Sequence, residues 1–298
     1  GFTTSINAGM AFLDWPLSNG SVNPKGWLTE SDKFAEHSHR LAAGGLGLLA
    51  LLIAAAHRLR ETRRGVRLAA YGVLALIVAQ VALGGLRVLL DQQNINTDHN
   101  LGGIGFGIAH ALNAQLTVAL LACLAVTHTR LWRRAADEPA SPLLRRVGTA
   151  AIILLFLVML AAAVMRQNRV TLWVTGDTDL DALFIPAVGE GWIWTVNLLH
   201  RAGALVAGSV LVLYANWLGR DTFVPRLLGG PMPAPPTWAR TFALALPLLL
   251  ALQVFLGVLA LTLPANPYPR TVHVIVAAAL LSTTAVAALL CRRGSASV

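Results

Sequence analysis

Charged residues are scarce in this chain. They make up 12% of its 298 residues, whereas 56% are hydrophobic. Soluble domains carry roughly 25% charged residues, so the composition excludes an ordinary soluble protein and indicates a membrane protein with several spans. The formal net charge of +9 could suggest a nucleic-acid partner, but the arginines lie in alternate loops, which is the asymmetry that orients a membrane protein. We therefore expect a lipid bilayer around the chain and no bound nucleic acid.

Cysteine is almost absent as well. Only Cys123 and Cys291 occur, the first inside an apolar run and the second at the end of the last one, so they do not resemble a disulfide pair. Neither belongs to a CxxCH motif, which excludes covalent attachment of a c-type heme. The sequence shows no cleavable signal peptide and no initiator Met at its start.

Long apolar runs are the dominant positive feature of the sequence. About twenty apolar residues in a helix are enough to cross the hydrocarbon core of a bilayer. Seven runs meet this length, and we predict a membrane-spanning helix for each. Their approximate bounds are 36–57, 67–90, 103–127, 147–166, 192–217, 238–263 and 269–291. The predicted fold class is an all-α integral membrane protein.

The loops between these runs differ in charge. Loops 58–67 and 128–146 carry five arginines each, whereas loops 91–102 and 167–191 are mainly acidic. By the positive-inside rule, the arginine-rich loops face the cytoplasm. Residues 1–35 then lie outside, directly before a span. We therefore expect a further helix before this sequence, eight spans in the intact protein, and a bacterial inner-membrane location.

A series of three short motifs occurs twice along the chain. Its members are His39-Arg40, Gln80–Gly84 (QVALG) and His110 in the first half, and His200-Arg201, Gln253–Gly257 (QVFLG) and His273 in the second. This order indicates an internal duplication. With four helices per unit, both halves have the same orientation in the membrane. We predict two tandem, pseudo-symmetric four-helix bundles, residues 1–146 without their first helix and residues 147–298.

The four histidines of the repeat lie at similar depth, near the outer ends of their spans. Two imidazoles that face each other across a bundle can bind the iron of one heme. A single histidine in a span is as readily a buried polar group with a hydrogen-bonded neighbour. Four at matched depth, two in each half, favour heme ligands. Zinc or copper is disfavoured because clustered carboxylates and thiolates are missing around them.

Charged neighbours accompany these histidines. Glu36 shares a helix face with His39, whereas the matching position before His200 is Asn197. A carboxylate there could transfer protons, or it could be an interfacial side chain that reaches water. Arg40 and Arg201 directly follow their histidines.

Two interpretations of these arginines stay open. They are suited to binding heme propionates, but arginines that only extend toward the membrane surface would occupy the same positions in the sequence. Among the other histidines, His37 lies on a different helix face from His39, and His57, His99 and His128 lie in loops or at cytoplasmic span ends.

Together these motifs resemble heme A synthase, the membrane enzyme that converts heme O to heme A. The similarity extends over nearly the whole chain. It is carried by Gly9–Leu17 (GMAFLDWPL), Glu36–Arg40 (EHSHR), both QVxLG segments, His110–Leu116 (HALNAQL), His200-Arg201 and His273. The DWPL loop followed by ExxHR is the most specific part.

The resemblance implies a division of labour between the halves. The N-terminal half would bind the substrate heme O at His39 and His110, with Glu36 at the reaction site. The C-terminal half would hold a resident heme b at His200 and His273. The implied reaction oxidises a porphyrin methyl group to a formyl group through a hydroxymethyl stage. Heme O synthase and cytochrome oxidase assembly proteins would be its partners.

Two departures and two alternatives accompany this interpretation. The first helix of the family is missing from the sequence, and the outer loops lack the cysteine pair found in many members. A diheme b-type cytochrome that only transfers electrons, or a non-catalytic heme-binding assembly factor, would show the same spans and histidines. Glu36 beside only one histidine pair favours the enzyme, because an electron carrier needs no acid at one heme.

Overall fold

A computed structural model describes residues 3, 6, 11–93, 101–138, 140–168, 191–219, 236–263 and 266–293 of the chain. Within these residues the secondary structure is helical, apart from an isolated antiparallel bridge between Ser18 and Ser21. The helices are α1 (Ser31–Arg60), α2 (Arg64–Gln93), α3 (Leu101–Val126), α4 (Arg130–Asp137), α5 (Pro142–Gln167), α6 (Gly191–Gly219), α7 (Ala239–Thr262) and α8 (Pro267–Arg293). The all-α prediction is confirmed.

Seven of these described helices are long and apolar enough to cross a membrane, and the chain is an integral multi-pass membrane protein. They are α1, α2, α3, α5, α6, α7 and α8, one for each predicted span. Several extend beyond the apolar run that predicted them. Helix α1, for example, begins at Ser31 and ends at Arg60, because backbone hydrogen bonding continues into the polar interface where hydropathy falls.

Helix α4 was missed by the sequence analysis, which assigned residues 128–146 to a loop. Its eight residues are too few for a hydropathy window of membrane-span length. Leu131 and Ala135 are four residues apart and therefore share one face. Ala135 is fully buried, and Leu131 packs against the hydrophobic core. This apolar face explains why the segment is helical rather than extended.

The chain divides into two compact units. Unit 1 comprises Gly1–Thr117, Ala163–Val188 and Leu256–Ile275, and unit 2 comprises Val118–Ala162, Gly189–Phe255 and Val276–Val298. The boundaries fall inside α3, α5, α7 and α8. The predicted halves, 1–146 and 147–298, were inferred from the sequence repeat and not from contacts within the fold. They stay a prediction.

Unit 2 contains a large hydrophobic core. Its most deeply buried large side chains are Tyr214, Leu211, Leu218, Leu246, Leu280, Leu281 and Leu290. The Tyr214 hydroxyl lies 3.5 Å from Cys291 Sγ, and both residues are fully buried. Cys123 and Cys291 are free thiols. The predicted histidine pair of the first half, by contrast, lies in unit 1.

Candidate functional site

The structure brings His39 and His110 together within unit 1. His39 lies on α1 and His110 on α3, and their ring centroids are 6.5 Å apart with an interplanar angle of 78°. The sequence placed the two rings at equal depth on different spans. The structure adds that they are direct neighbours.

The two ring nitrogens of His110 have different partners. Nδ1 lies 3.1 Å from the backbone carbonyl oxygen of Gln80, and Nε2 lies 3.1 Å from the side-chain nitrogen of the same residue. A carbonyl oxygen can only accept, so Nδ1 carries the proton and donates it. The Gln80 amide then donates to Nε2. Nε2 is thus the unprotonated nitrogen, the form that binds a metal ion.

The side chain of Gln80 is held in turn by Asn113. The Asn113 amide donates to Gln80 Oε1 at 2.7 Å and to the Leu76 carbonyl at 2.8 Å. Asn113 is buried and lies one helical turn after His110. Asn113 therefore orients the Gln80 amide on His110, and the two helices α2 and α3 are connected by side-chain hydrogen bonds at the level of the histidine.

Glycines of the repeated QVxLG motif lie directly against two of the histidines. A Cβ atom on Gly84 would be 3.1 Å from His110 Cε1 and 3.4 Å from Nδ1. A Cβ atom on Gly257 would be 3.3 Å from His273 Cε1 and 3.7 Å from Nδ1. Each glycine thus leaves a space that its histidine ring occupies. The motif was recognised from the sequence, but this contact was not. The repetition of the motif before a histidine in both halves was the feature that could have predicted it.

Glu36 and Arg40 bind the loop that precedes α1. Glu36 Oε2 accepts hydrogen bonds from the backbone nitrogens of Ala11 at 2.7 Å and Phe12 at 3.2 Å. Its other carboxylate oxygen forms an ion pair with Arg40 at 2.5 Å. The Arg40 guanidinium also donates to three loop carbonyls, those of Phe12, Asp14 and Leu17. Both charged side chains therefore fasten the DWPL loop onto α1.

The loop reaches α2 through Trp15. A Cβ atom on Gly85 would lie 2.5 Å from Trp15 Cε2, so the indole rests on the bare backbone of this glycine. Gly85 follows Gly84, the glycine against His110. The DWPL loop is therefore attached to α1 by Glu36 and Arg40 and to α2 beside the histidine pair.

Asp14 closes a turn within this loop. Its carboxylate accepts hydrogen bonds from the backbone nitrogens of Asn19 and Gly20, both at 2.7 Å. Partial burial acts to raise the pKa of Asp14, but the backbone hydrogen bonds together with the charge of Arg40 outweigh it, and the pKa is lowered from its usual value of 3.8. Because the pKa is lower in the folded chain, the ionised carboxylate stabilises the turn at pH values above its usual pKa. This stabilisation is lost as the pH falls through the lowered pKa.

The two histidines of the second half belong to different compact units. His200, on α6 in unit 2, is partly buried, and its Nδ1 lies 3.2 Å from the backbone carbonyl oxygen of Val158. This is the same kind of bond that His110 makes to Gln80, and it again leaves Nε2 for other partners. His273, on α8 in unit 1, is partly buried beside Gly257. Arg201 follows on α6 and is partly buried.

A model of the family of cytochrome oxidase assembly proteins (COX15-CtaA) matches residues 1–285 of the chain. The chain belongs to this family. No curated protein and no solved structure matches it. The family is that of the heme A synthases, so the resemblance seen in the motifs is confirmed. Membership gives the protein a role in cytochrome oxidase assembly and heme A synthesis.

The histidine environment suits the heme chemistry of this family. A histidine nitrogen binds a metal ion at about 2 Å, so two imidazoles that would hold one ion have ring centroids roughly 6 Å apart. The His39 and His110 centroids, at 6.5 Å, agree with this value. Nδ1–H bonds to backbone carbonyls, as at His110 and His200, are the usual support for a histidine ligand. The residues present therefore fit heme.

His37 has a structural position instead. It is buried under the DWPL loop, with Nδ1 3.0 Å from the Ser18 hydroxyl. The Trp27 ring meets it edge to face, with the centroids 4.8 Å apart. His37 therefore packs against the loop and does not lie beside His39 and His110. Its position on a different helix face predicted this.

Proposed function

We propose that the chain is a heme A synthase, an oxidoreductase that converts a methyl group of heme O to the formyl group of heme A through a hydroxymethyl stage. The observation that carries this proposal is the close pair of His39 and His110 in a chain of this family. Two imidazoles at this separation suit a substrate porphyrin held by its own iron.

His110 is prepared for such binding by the hydrogen bond of its Nδ1 nitrogen. The Nδ1–H bond to the Gln80 carbonyl keeps the proton away from Nε2 and fixes the plane of the ring. An iron bound at Nε2 would take the place of the hydrogen bond from the Gln80 amide. The Gln80 oxygen would keep its donor Asn113, whereas the Gln80 amide nitrogen would lose its acceptor.

Glu36 is our candidate for proton transfer at the reaction site, with Arg40 as a candidate for binding a substrate propionate. The support is their position on α1 next to His39. Both side chains are engaged with the DWPL loop. A direct role therefore requires that each exchanges one loop partner for the substrate, and it makes loop position and substrate binding dependent on each other.

We further propose that His200 and His273 hold a resident heme b, with Arg201 near its propionates. The repeat, the family and the His200–Val158 bond support this assignment. A heme with two histidine ligands supplies one-electron transfer. The protein's own contribution is to orient His200 through Val158 and to make room for His273 at Gly257.

Chromatography and mass spectrometry of extracted hemes test the proposed activity. The chain is expressed together with a heme O synthase, in a host without its own heme A synthase. We expect heme A or its hydroxymethyl precursor. Heme O and heme B alone, extracted from folded protein, would contradict the enzyme and would indicate an electron-transfer cytochrome or a heme-binding assembly factor.

A further inference from the structure

We infer that Gly84 and Gly257 are positioning residues for the axial histidines His110 and His273. Each glycine leaves the space that the imidazole on the following helix needs, and Gly84 also exposes the carbonyl that selects the ligating nitrogen. This inference rests on the proposed heme ligation by these histidines. It assigns a task to the glycine of both QVxLG motifs.

The two glycine–histidine contacts are similar in geometry. They occur between different helices, α2 and α3 in one case and α7 and α8 in the other. In both, the nearest atom to the missing Cβ is Cε1 of the ring and the next is Nδ1, with nearest distances of 3.1 and 3.3 Å. Real Cβ atoms rarely lie within 3.4 Å of a neighbour, so any side chain there must push the ring away.

Glutamine and glycine are four residues apart in the motif, so they lie one helical turn from each other. A helical side chain leans toward the N-terminus of its helix and covers the turn before it. A side chain at position 84 would therefore cover the carbonyl of Gln80, four residues earlier. With glycine this carbonyl is open, and it accepts the Nδ1–H of His110 at 3.1 Å. Glycine thus decides indirectly which nitrogen is left for iron.

Several helical glycines outside the motif have no close neighbour or only an aliphatic one. Gly45 in α1 and Gly105 in α3 have nothing within 4 Å of an added Cβ. Gly203 and Gly208 approach the aliphatic side chains of Val158 and Leu250, as expected for ordinary packing of membrane helices. Gly85 and Gly148 meet aromatic side chains even more closely, so close contact alone does not set the motif glycines apart. What sets Gly84 and Gly257 apart is that each meets a proposed heme ligand through the same two ring atoms.

Heme-binding spectroscopy of the purified chain tests the inference. Gly84→Val and Gly257→Val are compared with the milder alanine variants and with Gly105→Val as a matched control. Ferric heme b is the probe for both halves, and electron paramagnetic resonance and visible spectra report the low-spin signal of each. We expect each valine variant to weaken heme binding in its own half by about 10–100-fold, the usual cost of losing support for a metal ligand.

The alanine variants test the inference even if the valine variants do not fold, because the expected spectral shift differs between the two glycines. The shorter distance at Gly84 predicts a larger spectral shift for Gly84→Ala than for Gly257→Ala, and Gly105→Val should bind heme as the unchanged chain does. If Gly84→Val or Gly257→Val does not fold, this alanine series decides. Unchanged spectra in both alanine variants, or an equal loss in Gly105→Val, would overturn the inference.

His110→Ala and His273→Ala separate this inference from the proposed function. If they abolish the low-spin signals while the glycine variants keep them, the ligands are right and the glycine inference is wrong. If the histidine variants also keep full low-spin signals, the proposed ligation itself is wrong.

Discussion

Single atoms of His110 decide what this residue can do. Both of its ring nitrogens are engaged by Gln80, one by the backbone carbonyl and one by the side-chain amide. The carbonyl bond is compatible with heme ligation, whereas the amide bond must be exchanged for it. The sequence predicted His110 as a ligand from its depth and its repeat. It did not identify Gln80 as the partner, because thirty residues separate them and only helix packing brings them together.

Glu36 is the residue for which sequence and structure suggest different tasks. Its position beside His39 suggested proton transfer, but in the structure its carboxylate holds the DWPL loop and Arg40. This contact with the loop could not be predicted from the sequence, because the loop residues lie 24 and 25 positions before Glu36. Substitution of the two partners of the ion pair can separate catalysis from anchoring.

We predict that Glu36→Gln lowers heme O conversion by about 100-fold or more, the usual contribution of an acid–base group. Arg40→Lys is the matched variant. A lysine ammonium cannot donate to three carbonyls and a carboxylate in the fork geometry of arginine, so the loop loosens while the carboxylate remains. Limited proteolysis of the loop and heme analysis are measured on both variants. Equal loss of activity in the two, with equally loosened loops, would make Glu36 an anchor and not a catalyst.

The DWPL loop contacts α2 as well as α1 near the site. Trp15 rests on Gly85 at a distance that admits no side chain. Neither partner was predicted: the loop was recognised only as a family motif, and Gly85 was not distinguished from the other helix glycines. The same limit applies to α4, whose short length hides it from hydropathy although its apolar face packs on the core.

A double-mutant cycle tests this contact between the loop and α2. We expect Gly85→Ala to displace the indole and destabilise the protein, and Trp15→Ala to remove the packing directly. Because both changes break the same contact, the double variant should cost little more than Trp15→Ala. The interaction energy from thermal unfolding in detergent should be about 1 kcal/mol or more, within the range for residues in contact. Additive effects would show that the two residues act independently.

At the scale of the whole molecule, the spans were the most predictable feature. All seven apolar runs correspond to helices of the described chain, because burial in lipid requires both an apolar surface and internally bonded backbone groups. The two compact units were not predicted. Their boundaries cut through four helices, and such boundaries depend on packing between distant helix segments rather than on any local pattern.

The predicted division of labour between the two halves can be measured with histidine variants. We expect His200→Ala and His273→Ala each to remove the low-spin spectrum of the resident heme b, because one axial ligand is lost. His39→Ala and His110→Ala should leave this spectrum intact and instead prevent accumulation of heme A. Visible and electron paramagnetic resonance spectra of the purified variants provide the measurement. A full b-heme spectrum in both C-terminal variants would show that these histidines are not its ligands.

The arginine-rich loops make a last prediction, on the orientation of the chain in the membrane. By the positive-inside rule, the segment around Val22 faces outward and the α1–α2 connection at Thr62 faces the cytoplasm. Both residues are exposed, so Val22→Cys and Thr62→Cys offer accessible thiols. A membrane-impermeant maleimide should label Val22→Cys in intact cells and Thr62→Cys only after lysis. The unchanged chain is the control for Cys123 and Cys291, which are partly and fully buried. The reverse labelling pattern would contradict the predicted orientation and place the segment around Val22 on the cytoplasmic side.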